Sequence, residues 1–165
     1  MVSQPPVPNT TDSQDAPVSV PISVTSQYVR DLSFENPNAP AIFSSSQTAP
    51  EMQLGVNVQT RGLGESSFEV VLSLKMESRM EEKTMFIAEL VYAGVFGLPS
   101  MPDDQLRFFL LVECPRILFP FARSILGNAV RDGGFPNIMI NPIDFLGLYM
   151  ANKDNIGTMP VAGAA

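Results

Sequence analysis

Histidine and tryptophan are absent from this chain, and cysteine occurs once. Without histidine the chain lacks the one side chain that changes charge near neutral pH unaided, the usual base for a Ser or Cys nucleophile, and the commonest metal ligand. Cys114 cannot form an intrachain disulfide; it lies in an apolar helical stretch, reads as packing, and fits a reducing compartment. No Cys/His cluster is available for zinc, and no metal or other cofactor is expected. Positive charge is scarce, with Lys+Arg 10 against Asp+Glu 17 and a formal net charge of -7. A nucleic-acid binder needs a basic stripe to meet phosphates, so no nucleic-acid partner is expected, and an anionic membrane surface is disfavoured for the same reason. No run of about 18 apolar residues exists, and the N-terminus lacks a basic region followed by an apolar run. No direct membrane insertion is expected, and a cytoplasmic protein is.

At 165 residues the chain suits one domain, large enough to bury a core without staples. Residues 1–21 are rich in Ser, Thr, Gln, Asn and Pro and contain no Lys or Arg, so an unfolded N-terminal tail is expected. Residues 153–165 are small and are expected to form a flexible C-terminal tail. The folded part is then 22–152.

Four strand-like segments come first. The earliest runs from about Ile22 to Phe34. In the second, Met52, Leu54, Val56 and Val58 alternate with Gln53, Asn57 and Gln59. In the third, Phe68, Val70, Leu72, Leu74 and Met76 alternate with Glu69, Ser73, Lys75 and Glu77. Period two marks half-buried antiparallel strands, and the link from Arg61 to Glu65 reads as their turn. The fourth, about Thr84 to Phe96, differs. Phe86, Ala88, Leu90 and Tyr92 line one face and Met85, Ile87, Glu89 and Val91 the other, so both faces are largely apolar. The second face needs a cover or is a binding surface.

Beyond Gly97 the pattern turns helical. Ser100 is a candidate N-cap, Pro102, Asp103 and Asp104 suit a first turn, and Pro115 and Pro120 predict a kink or two pieces before Gly133-Gly134. A second helix is expected from Asn141-Pro142, supported by Asp144, to about Asn152. It carries two apolar stripes, Ile143, Leu146 and Met150 on one and Phe145, Leu148 and Tyr149 on the other. A surface helix needs one, so this helix is either buried or shares a groove with a bound peptide.

Catalytic constellations are poor. Glu81-Glu82 and Asp103-Asp104 are neighbours at element ends, where solvated charges and caps belong. Gly62 and Gly64 lie in a hairpin link with no helix after them, which is not a phosphate cradle. Asp31, Ser33 and Glu35 share one face of an extended strand, either the plain solvent face of a sheet or, if Glu89 lies on the same outer face, an acidic surface with apolar spots suited to a basic partner. Nine methionines and eleven phenylalanines suit an adaptable surface that meets several partners, although Met is also ordinary core filler.

The segment Asp31-Leu-Ser-Phe-Glu-Asn-Pro-Asn-Ala-Pro40 resembles the N-terminal signature of the bacterial SecB protein-export chaperones. Cys114-Pro-Arg-Ile-Leu-Phe-Pro-Phe-Ala-Arg123 is similar to a second family segment, and Phe135-Pro with Asn141-Pro-Ile-Asp-Phe-Leu-Gly-Leu-Tyr-Met150 to the family's last helix. The resemblance covers about residues 22–152 in order. It implies an α+β fold, a four-stranded antiparallel sheet with two helices packed on one face. It implies a homotetramer, a dimer of dimers with the long helix at the interface, that is no enzyme and works without ATP. Its implied partners are unfolded preproteins, kept translocation-competent in the cytoplasm, and the SecA motor that receives them. Carried over residue by residue, the SecA-binding face would include Asp31, Glu35, Ile87 and Glu89. The client groove, between the last helix, the sheet and the crossover after the first strand, would include Ile42, Phe43, Leu146, Leu148 and Met150. The crossover Ser44 to Ala49 is polar and lacks the tryptophan of some members, and the tail carries only Lys153 and Asp154 as charges. Two other readings stand beside this one: a structural oligomer whose apolar surfaces serve only self-assembly, and an enzyme that uses carboxylates alone.

Overall fold

The computed structural model describes residues 21–44, 49–153 and 159–164, the last stretch as backbone only. The expected unfolded tail therefore lies outside the described residues up to residue 20, as do residues 154–158 and 165 of the expected flexible tail.

Strands β1 (Ser23–Glu35), β2 (Glu51–Gly64), β3 (Ser67–Met80) and β4 (Lys83–Gly97) come first, with a short 3-10 turn at Ala41–Ser44. Helices α1 (Asp103–Phe108), α2 (Cys114–Asp132) and α3 (Phe145–Ala151) follow, and β5 (Met159–Ala164) closes the order. The four expected strands form an antiparallel sheet in the order β1-β4-β3-β2. One element was not foreseen: β5 adds antiparallel to the free edge of β2, so the sheet is five-stranded and part of the expected flexible tail is strand. Met159–Ala164 holds Pro, Gly and small residues without alternation, so only the exposed β2 backbone gives it a place.

The alternating pattern sorts the sheet into two faces. Val56, Leu74 and Leu90 pair side by side, as do Val58, Leu72 and Tyr92, and all are buried on the helix side. Phe86 and Ala88 continue this layer, and Leu118, Ala122, Leu126 and Val130 of α2 lie over it. At Gly94 a Cβ would come within 2.8 Å of the Leu118 side chain, so α2 reaches the sheet there because β4 has no side chain in the way.

The long helical run is continuous but changes pitch. A π-helical turn, Phe109–Glu113, joins α1 to α2, and the backbone stays right-handed helical at Phe109 and Cys114. Pro115 follows directly as the second residue of α2, where the π-turn already interrupts the regular i→i−4 bonding that its missing N–H would break. Ser100 is not the cap: the helix starts at Asp103 after Pro102, with no side-chain cap bond. The last helix is shorter than expected, because Pro142 and Ile143 stay outside it. Asp144 caps it, accepting a hydrogen bond from the Gly147 N–H at 2.9 Å.

Candidate chaperone surfaces

β1 carries two bulges, at Thr25 and at Arg30, which flip the side-chain alternation. Tyr28 and Asp31 therefore share the outer face although three residues apart, and Val29 and Leu32 share the inner one. From Asp31 onward the ladder sets Asp31 beside Val91, Ser33 beside Glu89 and Glu35 beside Ile87. The expected residues Asp31, Glu35, Ile87 and Glu89 are thus brought together on the outer face. No described helix covers that face, and Ile87, Val91 and Val95 stay partly exposed on it. Glu89 is not free: its carboxylate lies 2.6 Å from the Lys75 ammonium across the β3–β4 ladder. That hydrogen bond holds the Lys75 ammonium above its ordinary pKa. Beside the pair is a shallow depression of about 280 Å³, lined among others by Gly55, Asn57, Ser73 and Val91.

The other end of the outer face is held by Glu69, only 5% exposed. The Tyr28 hydroxyl donates to its carboxylate at 2.6 Å, Arg61 lies 3.0 Å away and Arg30, raised by its bulge, 3.7 Å. The Tyr28 hydrogen bond, followed by the two guanidiniums, holds the Glu69 carboxyl below the usual range despite burial, and the Tyr28 hydroxyl is raised in turn. This cluster ties β1, β2 and β3 together; sequence reading missed it, because Glu69 looks like any polar position of a period-two strand.

The apolar candidates fall into two groups. Ile42 is buried in the core, while Phe43 beside it is 51% exposed. The Phe43 ring packs 5.3 Å from Phe135, which in turn lies 4.9 Å from Phe86 and 6.2 Å from Phe34. A Cβ on Gly133 would strike the Phe34 ring at 2.1 Å, and one on Gly134, at φ +93, would press on Phe43 at 3.0 Å. The glycine pair that ends α2 is therefore also the seat of this aromatic cluster, whose members Phe34, Phe86 and Phe135 the sequence reading had not assigned to a site.

The second group is on α3. Phe145 is buried against Phe119, and Tyr149 meets Phe108 edge-on. Leu148 is half-buried, whereas Leu146 is 40% and Met150 60% exposed. Of the two apolar stripes, one packs against the long helix and the other faces outward. Phe119 and Gly133 are about 20 Å apart along that helix at 1.5 Å per residue, so the two groups lie toward its opposite ends. Near the second group, β5 runs beside β2 and also lies against α3.

Among the described residues no arrangement suggests catalysis. Burial pushes the Cys114 thiol up to about 12, so it stays protonated, and Glu81-Glu82 and Asp103-Asp104 are exposed at a hairpin turn and a helix start.

An open acidic sheet face and exposed apolar side chains on an α+β body are what a polypeptide-binding protein needs. The family model for preprotein translocase subunit SecB matches residues 14–155. The chain is 46% identical over 143 residues to the protein-export protein SecB of Afipia carboxidovorans, covering 87% of this chain and 89% of that one. The chain belongs to the SecB family. The SecB of Maricaulis maris is 48% identical over 144 residues, covering 87% of this chain and 84% of its own. The SecB of Rhodospirillum centenum is 45% identical over 158 residues, covering 95% and 94%. In fold the chain is similar to the SecB-like chaperone of Mycobacterium tuberculosis, solved with a peptide from an antitoxin, at a TM-score of 0.63 and 12% identity over 74% of this chain and 90% of that one. As a SecB-family member the chain is a protein-export chaperone. No helix among the described residues is long and apolar enough to cross a membrane.

Proposed function

We propose that this SecB-family chaperone holds unfolded preproteins in the cytoplasm without nucleotide and delivers them to the SecA motor. Clients lie on a surface that takes in Phe43, Leu146, Leu148 and Met150, with Ile42 buried beneath Phe43. SecA docks on the outer face at Asp31, Glu35, Ile87 and Glu89. The observation that carries this reading is the separation of the two surfaces: apolar side chains exposed on the helix side, and carboxylates gathered on the opposite side of the same sheet.

Apolar burial is non-directional, so it suits clients that share no sequence. Docking four large client side chains yields roughly 6–12 kcal/mol gross at about 1.5–3 each. Ordering an extended segment takes back several kcal/mol, so one site is micromolar or weaker and several must act on one chain. A homotetramer, as a dimer of dimers, supplies them. Support for assembly comes from Val24, Val29 and Leu32, which stand 41%, 45% and 44% exposed along the free edge strand β1, and from Phe121, 51% exposed on α2. Val24, Val29 and Leu32 lie on one strand, so a second subunit could cover them together.

The test is light scattering of the purified protein with and without a reduced, unfolded client, together with suppression of client aggregation. A tetramer that captures the unfolded chain and ignores its native form supports the reading. A stable oligomer that leaves aggregation unchanged would show that the apolar surfaces serve self-assembly alone.

A further inference from the structure

We infer that the segment Met159–Ala164 is a built-in competitor for the client site, a strand of the chaperone's own chain that rests on the β2 edge until an unfolded polypeptide displaces it. The inference rests on the client-binding reading above. Its ground is the position of β5. The register pairs Gln53 with Ala164, Val56 with Val161 and Val58 with Met159. The same strand lies against α3, whose outward stripe carries Leu146 and Met150. Thus the tail lies between the sheet edge and the last helix, where an extended client would have to lie.

The composition of the segment suits displacement. A strand held by backbone pairing alone can pair with any sequence, as a client would. Met-Pro-Val-Ala-Gly-Ala carries no charge and no aromatic residue. Pro160 has no N–H to give, and Gly163 lacks a side chain to pack, so both weaken a strand. Its advantage is tethering: residues 154–158 link it to the described end of the preceding segment at Lys153, and a short tether acts as a millimolar effective concentration. A client segment rich in Val, Ile, Phe or Tyr pairs better per residue but must overcome that concentration. The β2 edge is also guarded against edge-to-edge association when no client is present.

The experiment compares the full chain with a chain ending at Lys153 and with the double variant Val161→Pro, Ala162→Pro, which keeps the tail but removes ladder donors on both sides of the strand. The probe is reduced and carboxymethylated α-lactalbumin, which cannot fold. Affinity is read by calorimetry, and amide exchange is followed at those amides of Gln53–Val58 that point away from β3. Truncation is expected to tighten probe binding by roughly three- to ten-fold and to speed exchange at those amides; the probe restores protection, and the double variant follows the truncation. Light scattering should show one assembly state for all three proteins. Equal probe affinity in all three, or β2 amides already unprotected in the full chain, would overturn the inference while leaving the chaperone reading intact. Absence of probe binding in every form would instead remove the reading on which the inference stands.

Discussion

Lys75 and Glu89 face each other on neighbouring strands, and their ammonium and carboxylate meet at 2.6 Å in the middle of the outer sheet face. The acidic surface is therefore partly neutralised from within. A basic partner that uses Glu89 must first displace Lys75. Lys75→Gln is expected to tighten SecA binding about two- to five-fold at low salt, since exposed ion pairs are weak, and to leave client binding unchanged. Calorimetry at two salt concentrations measures both; weaker SecA binding would mean that Lys75 itself touches the partner. Glu89→Lys should impair SecA binding more than client binding, and equal loss of both would argue against separate surfaces.

Leu146→Asp and Met150→Asp should each weaken capture of an unfolded client by about 1.5 kcal/mol, close to ten-fold. Both side chains are exposed on α3, so folding and assembly should be unaffected. Unchanged client affinity with an intact oligomer would remove α3 from the client surface.

Gly133→Ala should destabilise the fold by about 1–3 kcal/mol, because its methyl group would overlap the Phe34 ring. Gly134→Ala should cost about 1 kcal/mol through its positive φ and should also push Phe43 outward. Urea denaturation gives the first effect, and a change in client affinity out of proportion to stability gives the second.

Glu69 makes stability depend on pH. Its folded-state pKa is depressed below 4.5, with the Tyr28 hydrogen bond as the leading cause. A depressed carboxylate contributes stability above its unfolded pKa, and that contribution disappears as pH falls through the folded value. Glu69→Gln should lose about 1–3 kcal/mol at neutral pH, and the gap to the wild type should close in acid, below pH 4.5. A gap that persists at low pH would assign the effect to packing. Tyr28→Phe should reproduce part of it.

Much of the fold was legible because period-two patterns are local. Alternation from Met52 to Gln59 and from Phe68 to Glu77 decides which side chains turn inward, and the register confirms both segments. The doubled apolar character of β4 marked a second face that needs a cover or a partner, and Ile87 and Val91 are partly exposed there. What escaped was made by bulges and by distant pairing. The bulge at Arg30 changes the parity of β1, so nothing in the spacing of Tyr28 and Asp31 tells that they share a face. Phe34, Phe43, Phe86 and Phe135 come from four separate stretches, and no local pattern joins them. The two stripes of α3 were visible, but which one turns outward depends on Phe108 of α1 and Phe119 of α2.

By itself the amino-acid order determined the strands, the helical run, the poverty in catalytic groups and the acidic character, because each follows from side chains read along one element. Only the tertiary structure decided that Glu89 is paired with Lys75, that Ile42 is buried while Phe43 is exposed, and that Met159–Ala164 joins the sheet. The physical reason is that an edge strand offers its hydrogen bonds to any backbone that arrives, whatever its sequence. The identity of the segment that arrives is set by chain geometry and tether length, which no local pattern encodes.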